Sequence, residues 1–225
     1  MRRKTRSDQP ALPNSYKWGN IQTFQIAQNL NERCFEWLVR IAKINTAPPL
    51  EILTCNRDLW MKFDSRACTR AARNPIVMFD CNFGRYDWWI RAASRDAEPF
   101  RIHGCREHWD AEYTTPVLRD ILTEARTIAV ADPRAAKLVF GTSSLGVTLL
   151  ASLTPSDIDR IAVQNVFEFR PRWADKTVFW RNFLSASVGE SDEEMGEAYF
   201  FSLQMLGSEF LNSTPARKYE CSCDT

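Results

Sequence analysis

The chain has 225 residues, of which 44% are hydrophobic and 25% are charged, and its formal net charge is +1. This composition excludes an intrinsically disordered chain and suffices for one large core or two small ones. No apolar run reaches the length of a membrane span and no signal-peptide core follows the basic start, so we expect a cytoplasmic protein whose seven cysteines are largely reduced.

The first half of the sequence predicts a basic arm followed by helices. Residues 1–16 are expected to form a flexible arm. A long helix is predicted from Asn20 to Lys43, because apolar residues recur there at steps of three and four. A second helix is predicted over residues 50–62. Asp64 or Ser65 is expected to cap a third helix, and the apolar residues 76–79 are expected to be extended.

The second half predicts the same order of elements. One helix is expected to open at Thr115-Pro116, a second after the cap Asp132-Pro133, and a third over residues 144–152. The sequence Thr154-Pro155-Ser156-Asp157 is typical of a helix start, with a capping hydroxyl, a proline and an acid. In residues 166–170, apolar and polar side chains alternate as they would in a half-buried strand. Residues 176–211 are predicted to be helical. The tail from 213 to 225 is expected to be mobile.

A weak internal repeat relates the two halves at a spacing of ninety residues. Five identities fall in register without an insertion: Leu59 with Leu149, Arg70 with Arg160, Ala72 with Ala162, Phe79 with Phe169, and Arg91 with Arg181. A fixed period of this size is typical of a duplicated unit. The prediction is therefore a mainly α fold with two tandem helix-turn-helix-like units of about 90 residues, covering 17–110 and 111–212, each with a short extended segment.

Residues 122–172 resemble FlhD, a subunit of the bacterial flagellar transcription activator. The matching residues are Ala125, Val130, Asp132, Ala136, Phe140-Gly141, Leu150-Ala151, Leu153-Thr154, Ala162, Asn165 and Arg172. The resemblance implies a mainly helical, dimerising subunit that joins a partner protein to bind promoter DNA. Two features depart from that family: Phe169 stands where its strand carries a cysteine, and residues 1–115 lie outside its length. If the chain is duplicated, it would place two such units in one polypeptide and so form a pseudo-dimer within a single chain.

The charges favour DNA contact by the first unit. Residues 1–117 carry 18 cationic and 13 acidic side chains, whereas residues 118–225 carry 11 and 15. Arg66, Arg70 and Arg73 are spaced to form one row on the capped helix, where guanidinium groups could reach phosphates and guanine edges. The arm could lie along the phosphates or enter the minor groove. Its cations are Arg2, Arg3, Lys4 and Arg6.

The second unit is instead the predicted site of dimer or partner contact. Asp157 and Asp159 lie on the helix equivalent to the arginine helix and would repel phosphate, so we assign them, with Arg172, to protein contacts. His103, Cys105 and His108 could supply zinc ligands, but no CxxC pair accompanies them, so an ordinary junction loop is favoured and no metal is predicted.

Enzyme motifs are absent from the sequence: it has no phosphate-binding glycine loop, no GxSxG and no HExxH. We therefore expect a binding protein without a cofactor or a small-molecule substrate. The leading hypothesis is a DNA-binding transcription regulator of FlhD-like type that acts as a homo-oligomer or with a second subunit. The alternative is an adaptor or assembly protein that uses the helical repeats for protein contacts and does not bind DNA.

Overall fold

The structure is a computed structural model, and it describes residues 21–44, 50–94 and 111–213. The mainly α fold predicted from the sequence is confirmed. The elements of the first half are α1 (Ile21–Ile44), α2 (Glu51–Cys55), α3 (Arg57–Trp60), α4 (Ser65–Ala72), β1 (Phe79–Asp80) and α5 (Tyr86–Ala93). Those of the second half are α6 (Ala111–Ala131), α7 (Pro133–Phe140), α8 (Ser144–Ser152), α9 (Pro155–Gln164), β2 (Arg170–Pro171), α10 (Thr177–Val188) and α11 (Asp192–Ser213).

Several predicted elements differ from those in the structure. The helix expected over residues 50–62 is broken at Asn56, which has φ −115° and ψ 25° and whose side-chain amide donates to the Ile52 carbonyl at 3.1 Å. Pro116 lies inside α6 and does not open it. The strand expected over residues 166–170 is wrong in its first part, because Val166–Glu168 form a 3-10 turn.

The elements of the second half recur about ninety residues after those of the first. Helices α4 and α9 begin at positions 65 and 155, and α5 and α10 begin at positions 86 and 177. Asp64 caps α4 by accepting from the Ala67 amide, and Thr154 caps α9 in the same way from the Asp157 amide. The repeat seen in the sequence therefore corresponds to a recurrence of secondary structure.

The two strands bring equivalent residues of the two halves together. Strand β1 pairs with β2 in antiparallel register, and Asp80 lies opposite Arg170, its counterpart ninety residues later. The rings of Phe79 and Phe169, also counterparts, stack with centroids 5.4 Å apart. Antiparallel pairing of equivalent residues gives this strand pair a local two-fold axis.

Each half places one helix on the other half. Helix α5 packs against α8 and α9, and α10 packs against α2, α3 and α4. Residues of both halves therefore contribute to one hydrophobic core. Within it, Phe35 of α1 stacks on Phe183 of α10 with centroids 5.9 Å apart. The structure interlocks the units that the sequence predicted in tandem.

Helix α1 also orders the chain between α4 and β1 through a buried amide. The side chain of Asn31 donates to the carbonyl of Ile76 at 2.9 Å and accepts from the amide of Met78 at 2.8 Å. Because a buried backbone group without a partner is unfavourable, these bonds fix a segment that lies outside regular secondary structure. They also position the start of the sheet.

Candidate protein-interaction surface

The three predicted DNA-contacting arginines of α4 do not form one exposed row. Arg66 is exposed and makes an ion pair with Glu190 at 3.5 Å. Arg73 is exposed at the end of the helix. The side chain of Arg70, by contrast, is only 11% exposed and points into the junction between α10 and α11. Two of the three predicted cations therefore face solvent.

Arg70 binds the end of α10 and the start of α11. Its guanidinium donates to the Ser191 carbonyl at 2.7 Å and to the Ala186 carbonyl at 3.4 Å, and it pairs with Asp192 at 2.7 Å. The Tyr199 hydroxyl donates to the Arg70 backbone carbonyl. Cationic side chains commonly satisfy the free carbonyls at the end of a helix and interact favourably with its dipole.

Arg160 makes the equivalent contact in the other half. Its guanidinium donates to the carbonyls of Ala92, Ala93 and Ser94, at the end of α5, over distances of 2.8 to 3.2 Å. Both counterparts thus hold the end of the helix that comes from the other half. The structure therefore corrects the assignment of Arg70 to DNA contact, because both terminal nitrogens of its guanidinium are engaged inside the chain.

An acidic surface lies beside Arg66 and Arg70 of α4. Helix α11 begins with Asp192, Glu193 and Glu194, and Glu190 in the preceding turn is 87% exposed and paired with Arg66. Phosphate groups that approached α4 would meet these carboxylates at close range. This face therefore carries charges of both signs, with carboxylates next to Arg66 and Arg70.

The two aspartates assigned to partner contact differ in their availability. Asp157 completes the capping box of α9 and pairs with Arg160 at 3.3 Å. Its hydrogen bond from the Thr154 hydroxyl lowers the pKa of the carboxyl, despite some desolvation. Asp159 is 59% exposed and pairs with Arg119 of α6. Of the two, Asp159 is the one on the open surface.

The assignment of Arg172 to partner contact is corrected by the structure. Its side chain is only 4% exposed, and its guanidinium donates to the carbonyls of Val77 at 3.1 Å and Phe140 at 2.8 Å. It also pairs with Glu209 at 3.3 Å. Arg172 therefore ties the sheet to the end of α7 and cannot reach a partner. Gly141, which ends α7 with φ +61°, leaves space for this guanidinium.

The remaining predicted sites lie outside the described residues. These are the cations Arg2, Arg3, Lys4 and Arg6 and the zinc candidates His103, Cys105 and His108. Within the described ranges, no group of three or more His, Cys, Asp or Glu side chains is placed to hold a metal ion.

Three described cysteines serve as packing residues. Burial raises the pKa of the Cys34 and Cys81 thiols well above the usual value and raises that of Cys68 to about 12. A thiol with so high a pKa is a poor nucleophile at neutral pH. The fourth, Cys55, is exposed.

An apolar groove lies between α10 and α11, and no pattern in the sequence predicted it. It encloses about 420 Å³ and is lined by Val178, Phe179, Asn182, Phe183, Ser185, Ala186, Glu194, Glu197, Ala198 and Phe201. Val178 is 73% exposed and Phe201 is 54% exposed, so large apolar side chains are open to solvent at its mouth. Its two charged lining residues are both acidic.

The groove exists because the helical segment predicted over residues 176–211 is in fact two helices. Helix α10 ends at Val188 with Gly189 as its C-cap, and Ser191 starts the next helix by accepting from the Glu194 amide at 3.2 Å. The chain can therefore fold back and set α11 beside α10. The sequence Gly189-Glu190-Ser191-Asp192 was the available signal, since glycine followed by a capping serine is typical of a helix end and a new start.

Among the described residues, no single helix has both the length and the apolar composition of a membrane span. Helices α7 and α8 together reach that length and composition, but the chain bends by 108° between them.

Comparison of the chain with protein-family models, with curated proteins and with solved structures gave no match.

Proposed function

We propose that this chain is an adaptor or assembly protein that acts by binding another protein in the groove between α10 and α11. The groove carries the proposal because it combines exposed apolar side chains, Val178 and Phe201, with a volume of about 420 Å³. Exposed apolar surface that is concave and bordered by polar residues is typical of a protein-binding site.

The charges of the groove indicate the chemistry of its ligand. Glu194 and Glu197 line it, and Glu193 adds a third exposed carboxylate nearby. A segment with apolar anchors and flanking Lys or Arg would complement this surface, whereas an acidic segment would be repelled. An amphipathic helix with a basic polar face fits this description, because such a helix places its anchors along one side.

A second candidate function is the regulator of FlhD-like type. The features that favour it are the capped helices α4 and α9, each of which follows a short turn, together with the resemblance over residues 122–172. Arg66 and Arg73 are the α4 cations left for phosphate contact. In that case the groove would hold the second subunit of the regulator.

A binding experiment with two matched peptides tests the adaptor proposal. Two fluorescent amphipathic helical peptides share one apolar face, and the polar face carries Lys in one and Glu in the other. We expect the full chain to bind the Lys peptide and to bind the Glu peptide at least about tenfold more weakly. Phe201→Asp should abolish binding, and the double variant Glu194→Gln/Glu197→Gln should reduce both the affinity and its salt dependence.

Phe200→Ala is the matched control, because Phe200 neighbours Phe201 but does not line the groove. It should leave peptide affinity unchanged. Equal binding of both peptides, or binding that survives Phe201→Asp, would contradict the adaptor proposal. Tight, salt-sensitive binding of a duplex library, reduced by Arg66→Gln/Arg73→Gln, would favour the regulator instead.

A further inference from the structure

Helix α11 carries an exposed apolar stripe beside the face that it buries. We name it the outer stripe: Gly196, Phe200, Leu203, Gly207 and Leu211. Of its large side chains, Phe200 is 61% exposed, Leu203 is 43% exposed and Leu211 is 80% exposed. The residues that α11 buries, Met195, Ser202 and Leu206, lie on a different face. The steps of four and three along the stripe are those of a helix–helix seam.

Large and small residues alternate along the outer stripe. A Cβ atom built on either Gly196 or Gly207 would meet no heavy atom within 4 Å, so the glycines do not serve close packing inside the described chain. Glycine is also unfavourable in a helix interior by about 1 kcal/mol relative to alanine. Two open glycines in register with three exposed large side chains are suited to accept side chains from outside.

We infer that α11 binds the outer stripe of a second copy of this chain in an antiparallel arrangement. A two-fold axis that crosses the helix between Leu203 and Gln204 sets Phe200 opposite the partner's Gly207. The same axis sets Leu211 opposite the partner's Gly196. Every glycine of the stripe then receives a large side chain, and the stripe complements itself.

The charges on the helix favour the antiparallel orientation. The first turn carries Asp192, Glu193 and Glu194, and a parallel pair would set these acids against their own copies. The antiparallel pair separates them. Antiparallel helix dipoles also attract each other.

Oligomeric state measured by light scattering and analytical ultracentrifugation tests this arrangement. We expect the wild-type chain to be a dimer and Phe200→Ala to raise the dimer dissociation constant at least about tenfold. Gly207→Phe should also weaken the dimer, because it sets two phenylalanines against each other. The double variant Phe200→Ala/Gly207→Phe should recover most of the affinity, since it exchanges the large and small members of each pair.

Phe201→Ala is the matched control, because Phe201 lines the groove and lies off the outer stripe; it should leave the dimer intact. Circular dichroism and thermal unfolding confirm that each variant is folded. A monomeric wild-type chain, or a dimer that Phe200→Ala leaves unchanged, overturns the inference. A dimer that Gly207→Phe strengthens, or that the double variant does not recover, overturns the antiparallel pairing. The peptide affinity of the groove is a separate readout, so the two proposals can fail independently.

Discussion

Arg70 and Arg160 stand ninety residues apart in the sequence, and each binds the end of a helix from the other half of the chain. The spacing of Arg66, Arg70 and Arg73 predicted one helical face; Arg66 and Arg70 do lie in α4, and Arg73 caps its end. The sequence did not reveal that Ser191 and Asp192 meet Arg70, because these residues are far along the chain. The available signal was the identity of Arg70 and Arg160 within the repeat.

We expect Arg70→Met and Arg160→Met each to lower the free energy of unfolding by about 1–3 kcal/mol, because each removes charged hydrogen bonds to helix-end carbonyls. Arg134→Met, at an exposed position of α7, should change it by less than about 0.5 kcal/mol. Denaturant unfolding monitored by tryptophan fluorescence measures all three. If Arg70→Met behaves like Arg134→Met, Arg70 has no structural role of this kind.

At the scale of elements, the helix starts that depend on neighbouring residues could be predicted from the sequence. The strand pairing, which depends on residues far apart in the chain, could not. The caps Asp64 and Thr154 precede their helices directly, so the starts of α4 and α9 follow from the sequence. The strand expected over residues 166–170 was wrong in part. Phe167 and Phe169 alternate with polar residues, yet the Glu168 amide bonds back to the Asn165 carbonyl at 2.9 Å and forms a turn. The pairing that defines β2 depends on β1, in the other half.

The capping box of α9 predicts a specific pH dependence. The Thr154 hydroxyl holds the pKa of Asp157 below its usual value in the folded state. The stabilisation is therefore complete above the usual carboxyl pKa and is lost as the pH falls through the lowered one. The difference in free energy of unfolding between wild type and Asp157→Asn should be constant near neutrality and shrink below about pH 4.

Urea unfolding at several pH values measures this difference. When Thr154 is replaced by Val, the free-energy difference between Asp157 and its Asn variant should depend less on pH. The reason is that this replacement removes the hydroxyl that chiefly lowers the pKa of Asp157. A difference that stays constant or grows on acidification would contradict the role given to the capping box.

At the scale of the whole molecule, the two halves share one core, and the β1–β2 pair joins them. The stacking of Phe79 on Phe169 and the exchange of α5 and α10 relate the halves as two subunits of a dimer would be related. The repeat made duplication predictable, but the exchange was not, since sequence spacing does not say which half a helix packs on. Helix α11 then lies beside α10 and completes the groove.

Hydrogen exchange read by mass spectrometry tests the central proposal, that the chain binds protein at the α10–α11 groove, most directly. The full chain is compared alone, with the Lys peptide, and with duplex DNA. The proposal predicts that the peptide slows exchange in Thr177–Val188 and in the first half of α11, while duplex DNA changes nothing. Exchange that the peptide leaves unchanged there, or that duplex DNA slows in Ser65–Ala72, would contradict it.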